Sequence, residues 1–178
     1  MTLHLWLMRH AKSDWDDPAL PDHARPLSGR GRRAAARLGA WLAATDARPD
    51  EVIASDAQRT RETWARAAAA AAGTLGAAAL RLEPRLYLAP PETMAEVLAG
   101  AAGEGVMMIG HNPGIGALAQ RLIAAPPADP EAAEVLARYP TGATAHIAFD
   151  APNWAEAVRG RGRLIGFVWP RGLEAAGG

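Results

Sequence analysis

The run Thr2-Leu3-His4-Leu5-Trp6-Leu7-Met8 constrains this chain more than any other stretch. It has strand length and strand composition, with apolar residues at both odd and even positions. A strand that is apolar on both faces belongs in the middle of a sheet covered on both sides, the usual setting of a parallel sheet. The run ends abruptly in Arg9-His10-Ala11. A buried strand that delivers Arg-His to its tip sets a strong anion binder beside a nitrogen nucleophile.

The pattern then repeats along the chain. Ser28 reads as an N-cap, and Ala34, Leu38, Trp41 and Leu42 follow at helical spacing, with Arg30, Arg33 and Arg37 on the solvated side. Pro49-Asp50 ends that helix, and Glu51-Val52-Ile53-Ala54 is a short strand. Ser55 or Asp56 is the expected N-cap of a second helix carrying Arg59 in its first turn. This helix is expected to run to about Ala72, with Gly73 as its stop. Leu80–Glu83 reads as a shorter strand ended by Pro84, and Pro90-Pro91 opens a short helix with Met94, Val97 and Leu98 apolar. Val106–Ile109 is a further continuous apolar strand, turned by Gly110-His111-Asn112-Pro113-Gly114. Asn112 as N-cap with Pro113 at the first helical position is a strong start signal for the stripe Ile115, Leu118, Ala119, Leu122. A helix over 130–138 and strands over 143–149 and 164–169 complete the chain. Strands alternating with helices predict an α/β fold, a mostly parallel sheet flanked by helices, in one domain spanning residues 1–178.

Composition excludes some classes of function. The formal net charge is zero, which argues against a nucleic-acid or membrane-surface binder driven by bulk charge. No apolar run approaches the roughly 18 residues of a spanning helix, and no signal peptide is visible, so a soluble cytoplasmic protein is expected. Cysteine is absent, which removes disulfides and thiolate metal sites. Lys12 is the only lysine, two residues after His10.

In α/β sheets ligands bind beyond the carboxyl ends of the strands. Three strand tips present chemistry there: Arg9-His10, Ser55 through Arg59, and His111-Asn112. Two histidines, two arginines and two helix amino termini define an anion pocket suited to phosphate. A histidine there can attack phosphorus while the other donates to a phosphoryl oxygen. His4 and His146 lie inside strand-like runs and are read as structural. His23, in the long aperiodic loop 11–27, is given no specific role.

These motifs resemble the histidine phosphatase (phosphoglycerate mutase-like) superfamily. Leu7-Met8-Arg9-His10-Ala11-Lys12-Ser13 is similar to its Arg-His signature, Arg25–Gly31 to the lead into its first helix, Ser55–Thr60 to its second arginine motif, and Gly110–Gly114 to its second histidine motif. The short chain and the Arg-His-Ala-Lys-Ser and Gly-His-Asn-Pro forms are most similar to SixA-type phosphohistidine phosphatases. The resemblance implies a three-layer α/β/α sandwich whose mostly parallel sheet carries an antiparallel edge strand. It implies His10 as the phosphorylated nucleophile, Arg9 and Arg59 as phosphoryl binders and His111 as the second histidine, with no metal and no organic cofactor. Lys12 joins the substrate-binding candidates.

Ester-cleaving members of the superfamily carry an acidic general acid after the second helix. Here Leu82-Glu83-Pro84-Arg85-Leu86-Tyr87 has no clean match; Glu83 is the candidate, with Asp14 and Asp16 as rivals. A missing acid fits a phosphohistidine bond, whose leaving nitrogen takes a proton from water. The expected substrate is phosphohistidine on a protein partner. The alternatives are a small phosphate ester (a sugar phosphate or nucleotide) and a non-catalytic phosphate-binding module. Neither nucleic acid nor membrane is expected as a partner, and the protein is expected as a monomer or weak dimer.

Overall fold

The computed structural model describes residues 1–71, 73–75 and 78–176. Six strands form one sheet: β1 (Thr2–Arg9), β2 (Glu51–Ala54), β3 (Ala79–Leu82), β4 (Gly105–Gly110), β5 (Thr144–Asp150) and β6 (Arg163–Val168), in the order β3-β2-β4-β1-β5-β6. β3, β2, β4 and β1 run parallel, while β5 pairs antiparallel with both β1 and β6. The sheet is thus mostly parallel and mixed, as the family resemblance implied, but the antiparallel strand is not at the edge: β5 lies inside the sheet, and the edge strand β6, antiparallel to β5, runs in the direction of β1.

Period-two alternation divides the central strands between two cores. Trp6 and Met8 of β1, Val52 and Ala54 of β2, and Met107 and Ile109 of β4 face one side. There they meet Leu38 and Leu42 of α1 (Gly29–Ala44), Trp64 of α2 (Gln58–Ala70) and Leu173 of α7 (Pro170–Ala176). Leu3, Leu5, Leu7, Ile53, Val106 and Met108 face the other side. That side is covered by α3 (Pro91–Ala99), α4 (Gly114–Leu122), α5 (Pro130–Arg138) and α6 (Trp154–Ala157). Ile115, Leu118 and Leu122 of α4 are fully buried, and each such side chain contributes about 1.5–3 kcal/mol.

Helix starts depart from expectation in two places. Ser28 caps α1 as expected, its Oγ accepting from Gly31 N–H at 3.0 Å. The residue before α2, however, is Ala57, which offers no capping oxygen, and Ser55 lies two residues further out. Asn112 is not the cap of α4; Pro113 flanks that helix, and the Asn112–Pro113 peptide is cis. The Asn112 side-chain oxygen still accepts from the Gly116 N–H in the first turn of α4 at 3.3 Å, while its amide nitrogen reaches sideways, donating to the carbonyls of Tyr139 (2.9 Å) and Arg138 (3.2 Å). α2 ends at Ala70, and Gly73 beyond it has φ +89°; Ala72, the expected last residue, lies outside the described residues. Loop 11–27 is pinned by a bridge between Ser13 and Leu27 and contains a 3-10 turn over Asp22–Ala24 that no hydrophobic periodicity marks.

Candidate active site

The register of the sheet brings the polar tips together. Arg9 at the end of β1 lies opposite Gly110 at the end of β4, and Ala54 opposite Ile109. His10, Ser55 and His111 are therefore the first residues past three adjacent strands. The imidazoles of His10 and His111 stand 5.2 Å apart between centroids, and both are buried, at 6% and 1% exposure. Arg59, in the first turn of α2, is equally buried at 4%.

His10 is held in one tautomer. Its Nδ1 lies 2.7 Å from the carbonyl oxygen of Ala11, which can only accept, so Nδ1 carries the proton and Nε2 keeps a lone pair. Burial lowers its pKa to about 4, the nearby Arg59 and Arg9 adding to the drop against the Ala11 bond and Asp22. His111 falls to about 3, through burial first and then the neighbouring His10 and Arg59. Both rings are neutral at physiological pH. Ser55 Oγ lies 2.9 Å from His111 Nε2. The buried His111 Nδ1 and Arg9 Nε have no hydrogen-bond partner among the described residues.

The two arginines are fixed from opposite sides. Arg9 donates to the Tyr139 carbonyl at 3.0 Å, and Tyr139 is itself anchored through its hydroxyl to the Leu7 carbonyl at 2.8 Å. Arg59 donates to Asp22 twice, to its backbone oxygen (2.7 Å) and its carboxylate (3.0 Å). Burial, then the charge of Arg59, lowers the pKa of Arg9. Two guanidinium groups beside two neutral imidazoles are chemically suited to a dianion.

Asp22 and Tyr87 complete the arrangement, and neither was legible in the sequence. Tyr87 O–H donates to the Asp22 carboxylate at 2.5 Å, and its ring lies edge-on to His111 at 5.4 Å and to His23 at 4.8 Å. The Tyr87 bond, then Arg59, holds the Asp22 pKa below its usual value. His23, expected to have no specific role, donates from Nε2 to Asp56 at 2.9 Å and ties the loop to the start of α2. The one available hint was the bracketing of Asp22–Arg25 by Pro21 and Pro26, which stiffens a segment otherwise free of pattern.

Four sequence candidates, Glu83, Asp14, Asp16 and Lys12, do not join this group. Glu83 accepts from Arg81 at 3.3 Å and from Arg85 at 3.1 Å, and it caps the 3-10 turn Pro84–Leu86. The Arg85 contact holds its pKa low, so it is ionised, opposite to what a proton donor requires. Asp14 accepts from Asp16 N–H within the loop. Lys12 is exposed and lines a separate groove. His4 and His146 pair with each other at 2.9 Å beside Trp6.

Comparison with known proteins shows the family of the chain. The family model of the Histidine phosphatase superfamily (branch 1) matches residues 5–87. An uncharacterised protein of Mycobacterium tuberculosis is 36% identical over 168 residues, covering 92% of this chain and all of the relative. A solved structure assigned as phosphohistidine phosphatase SixA from Nakamurella multipartitia superposes with a TM-score of 0.80 at 28% identity, covering 96% of this chain and 97% of that one. A second, assigned as SixA from Agrobacterium tumefaciens, gives 0.77 at 27% identity, covering 94% and 98%. The chain belongs to the histidine phosphatase superfamily and is a phosphatase. Within that superfamily it is SixA-like.

Proposed function

We propose that the protein hydrolyses phosphohistidine on a protein partner through a phospho-His10 intermediate, in the cytoplasm. Neutral His10 Nε2 attacks phosphorus in line, a bond forms between Nε2 and phosphorus, and the substrate's phosphorus–nitrogen bond breaks. The departing imidazole takes its proton from water. A second water then attacks the phosphorus on His10, releasing inorganic phosphate and restoring the neutral ring. Arg9 and Arg59 bind the equatorial oxygens through charge-assisted hydrogen bonds, each contributing about 1.5–3 kcal/mol. With Ser55 O–H donating to His111 Nε2, the proton of the His111 ring sits on Nδ1, ready for an oxyanion.

The observation that carries the substrate class is the state of the carboxyl groups. Glu83 is sequestered between two arginines, and Asp22 is held ionised by Tyr87 and Arg59. Neither is a proton donor for an alkoxide leaving group, whereas a departing imidazole needs none from the protein. The SixA likeness of the Nakamurella and Agrobacterium structures supports the same reading.

The test is phosphate release from a phosphohistidine protein beside a panel of sugar phosphates and nucleotides. A kcat/KM at least about a hundredfold higher on phosphohistidine is expected. A preference for one ester would overturn the substrate assignment.

A further inference from the structure

A groove of about 830 Å³ opens beside the active site without including either active-site histidine. Its position follows from the register. Met8 of β1 pairs with Thr144 of β5, and Thr144 with Val168 of β6. Trp169 therefore emerges at the same sheet end as His10, two strands away, or about 10 Å. Between them lie Pro140 and Thr141, joined to the site by the Gly142 N–H that donates to the His10 carbonyl at 3.0 Å. On the near wall is Lys12, whose backbone oxygen accepts from Ser28 N–H at 2.9 Å.

The lining is basic around an apolar strip. Lys12, Arg30, Arg138 and Arg171 face one carboxylate, Glu131. Arg138 pairs with Glu134 across a largely exposed contact, which is worth little. Among the described residues Lys12, Arg30 and Arg171 have no carboxylate within 4.0 Å. This accumulation stands out in a chain of zero net charge. Along the groove run Trp169, stacked on Phe167 at 5.6 Å, with Val135 and Pro170.

We propose that this groove docks an acidic segment of the protein substrate, with an apolar side chain against Trp169 and carboxylates on the surrounding arginines. The placement of the cations decides the ligand class. A phosphate or nucleotide site converges its donors on one point. Here the four cations come from the loop after β1, the start of α1, the end of α5 and the start of α7, with apolar surface among them. That distribution matches an extended chain alternating carboxylate and apolar side chains. The proposal rests on the reading of the protein as a phosphatase of phosphorylated proteins, and it deepens that reading.

Binding separates the two claims. Fluorescence anisotropy would compare a labelled peptide rich in Asp and Glu around a central Leu with a control in which Ser replaces every acid. The acidic peptide is expected to bind at least about tenfold more tightly, and the difference is expected to vanish in about 0.5 M NaCl. The double variant Arg30→Glu/Arg171→Glu is expected to abolish the preference. In phosphohistidine versions of the two peptides, that variant is expected to raise KM for the acidic one alone and leave hydrolysis of the control unchanged. Equal binding of both peptides, a preference that survives the variant, or binding of tripolyphosphate in place of either peptide would overturn the groove assignment. Selective binding without hydrolysis of either phosphohistidine version would overturn the proposed substrate and leave the groove standing.

Discussion

His10 Nδ1 lies 2.7 Å from the Ala11 carbonyl, a contact that keeps the ring proton on Nδ1 and leaves Nε2 with its lone pair. In the proposed mechanism the nucleophile is thus set by its own neighbour in the chain, before any substrate arrives. His10→Ala removes it while both arginines remain. Turnover is expected to fall by at least about a thousandfold, with inorganic phosphate still binding within a few-fold of wild type by calorimetry. Turnover undiminished in this variant would remove His10 from the mechanism.

The depressed histidine pKa values make stability depend on pH. His10, at about 4, and His111, at about 3, stay neutral in the folded protein where the unfolded chain, with ordinary values near 6.5, is already protonated. Below about pH 6.5 the unfolded state therefore binds more protons, and stability falls as pH drops toward 4. Each buried histidine contributes up to about 1.4 kcal/mol per pH unit in that window. Urea unfolding at pH 7, 6, 5 and 4 should show this slope, and His10→Asn/His111→Asn should reduce it, leaving the share of His146, which burial also lowers to about 4. An identical slope in the double variant would contradict the assignment.

Asp22 and Glu83 divide by position. Asp22→Asn removes a negative charge bound directly to Arg59 while keeping the residue's backbone bond to that arginine. Inhibition by inorganic phosphate is expected to tighten by about three- to tenfold, because the anion no longer competes with a fixed carboxylate. Glu83→Gln should leave kcat and KM within about twofold on any substrate. A large loss of kcat in Glu83→Gln, confined to ester substrates, would restore it as the general acid.

Gly31 sits where α1 crosses the backbone just past His10. A Cβ there would lie 2.0 Å from the Lys12 carbonyl oxygen, a backbone atom that cannot step aside. Gly31→Ala is expected to destabilise the fold by about 1–3 kcal/mol and to lower activity by displacing the Ala11–Lys12 segment that holds His10. Thermal unfolding and kcat measured on the same preparation check both effects.

What the sequence disclosed and what it withheld have a common physical cause. The strand tips at Arg9-His10, Ser55 and His111 were legible because each closes an apolar run, and burial writes a strong periodic signal. Arg59 was legible because it follows a strand at helix-start distance. Asp22 and Tyr87 reach the same pocket from a 3-10 turn and from the residue after another, where no periodicity exists. The sideways role of Asn112 was hidden for a related reason. An Asn-Pro pair signals a cap locally, whereas the Tyr139 carbonyl that takes its amide is 27 residues away. That one strand runs antiparallel came from resemblance, since strand direction leaves no mark in hydrophobic alternation; its place inside the sheet, as β5, did not follow from it.

The central claim is a phosphoryl group carried on His10 Nε2. Rapid alkaline quenching of the enzyme mixed with a phosphohistidine protein, followed by peptide mass spectrometry, tests it most directly. The account predicts a transient, acid-labile phosphoryl group on His10 that forms within the first turnover and decays as phosphate is released. Complete turnover with His10 unmodified at every time point, or with the phosphoryl group on His111, would contradict it.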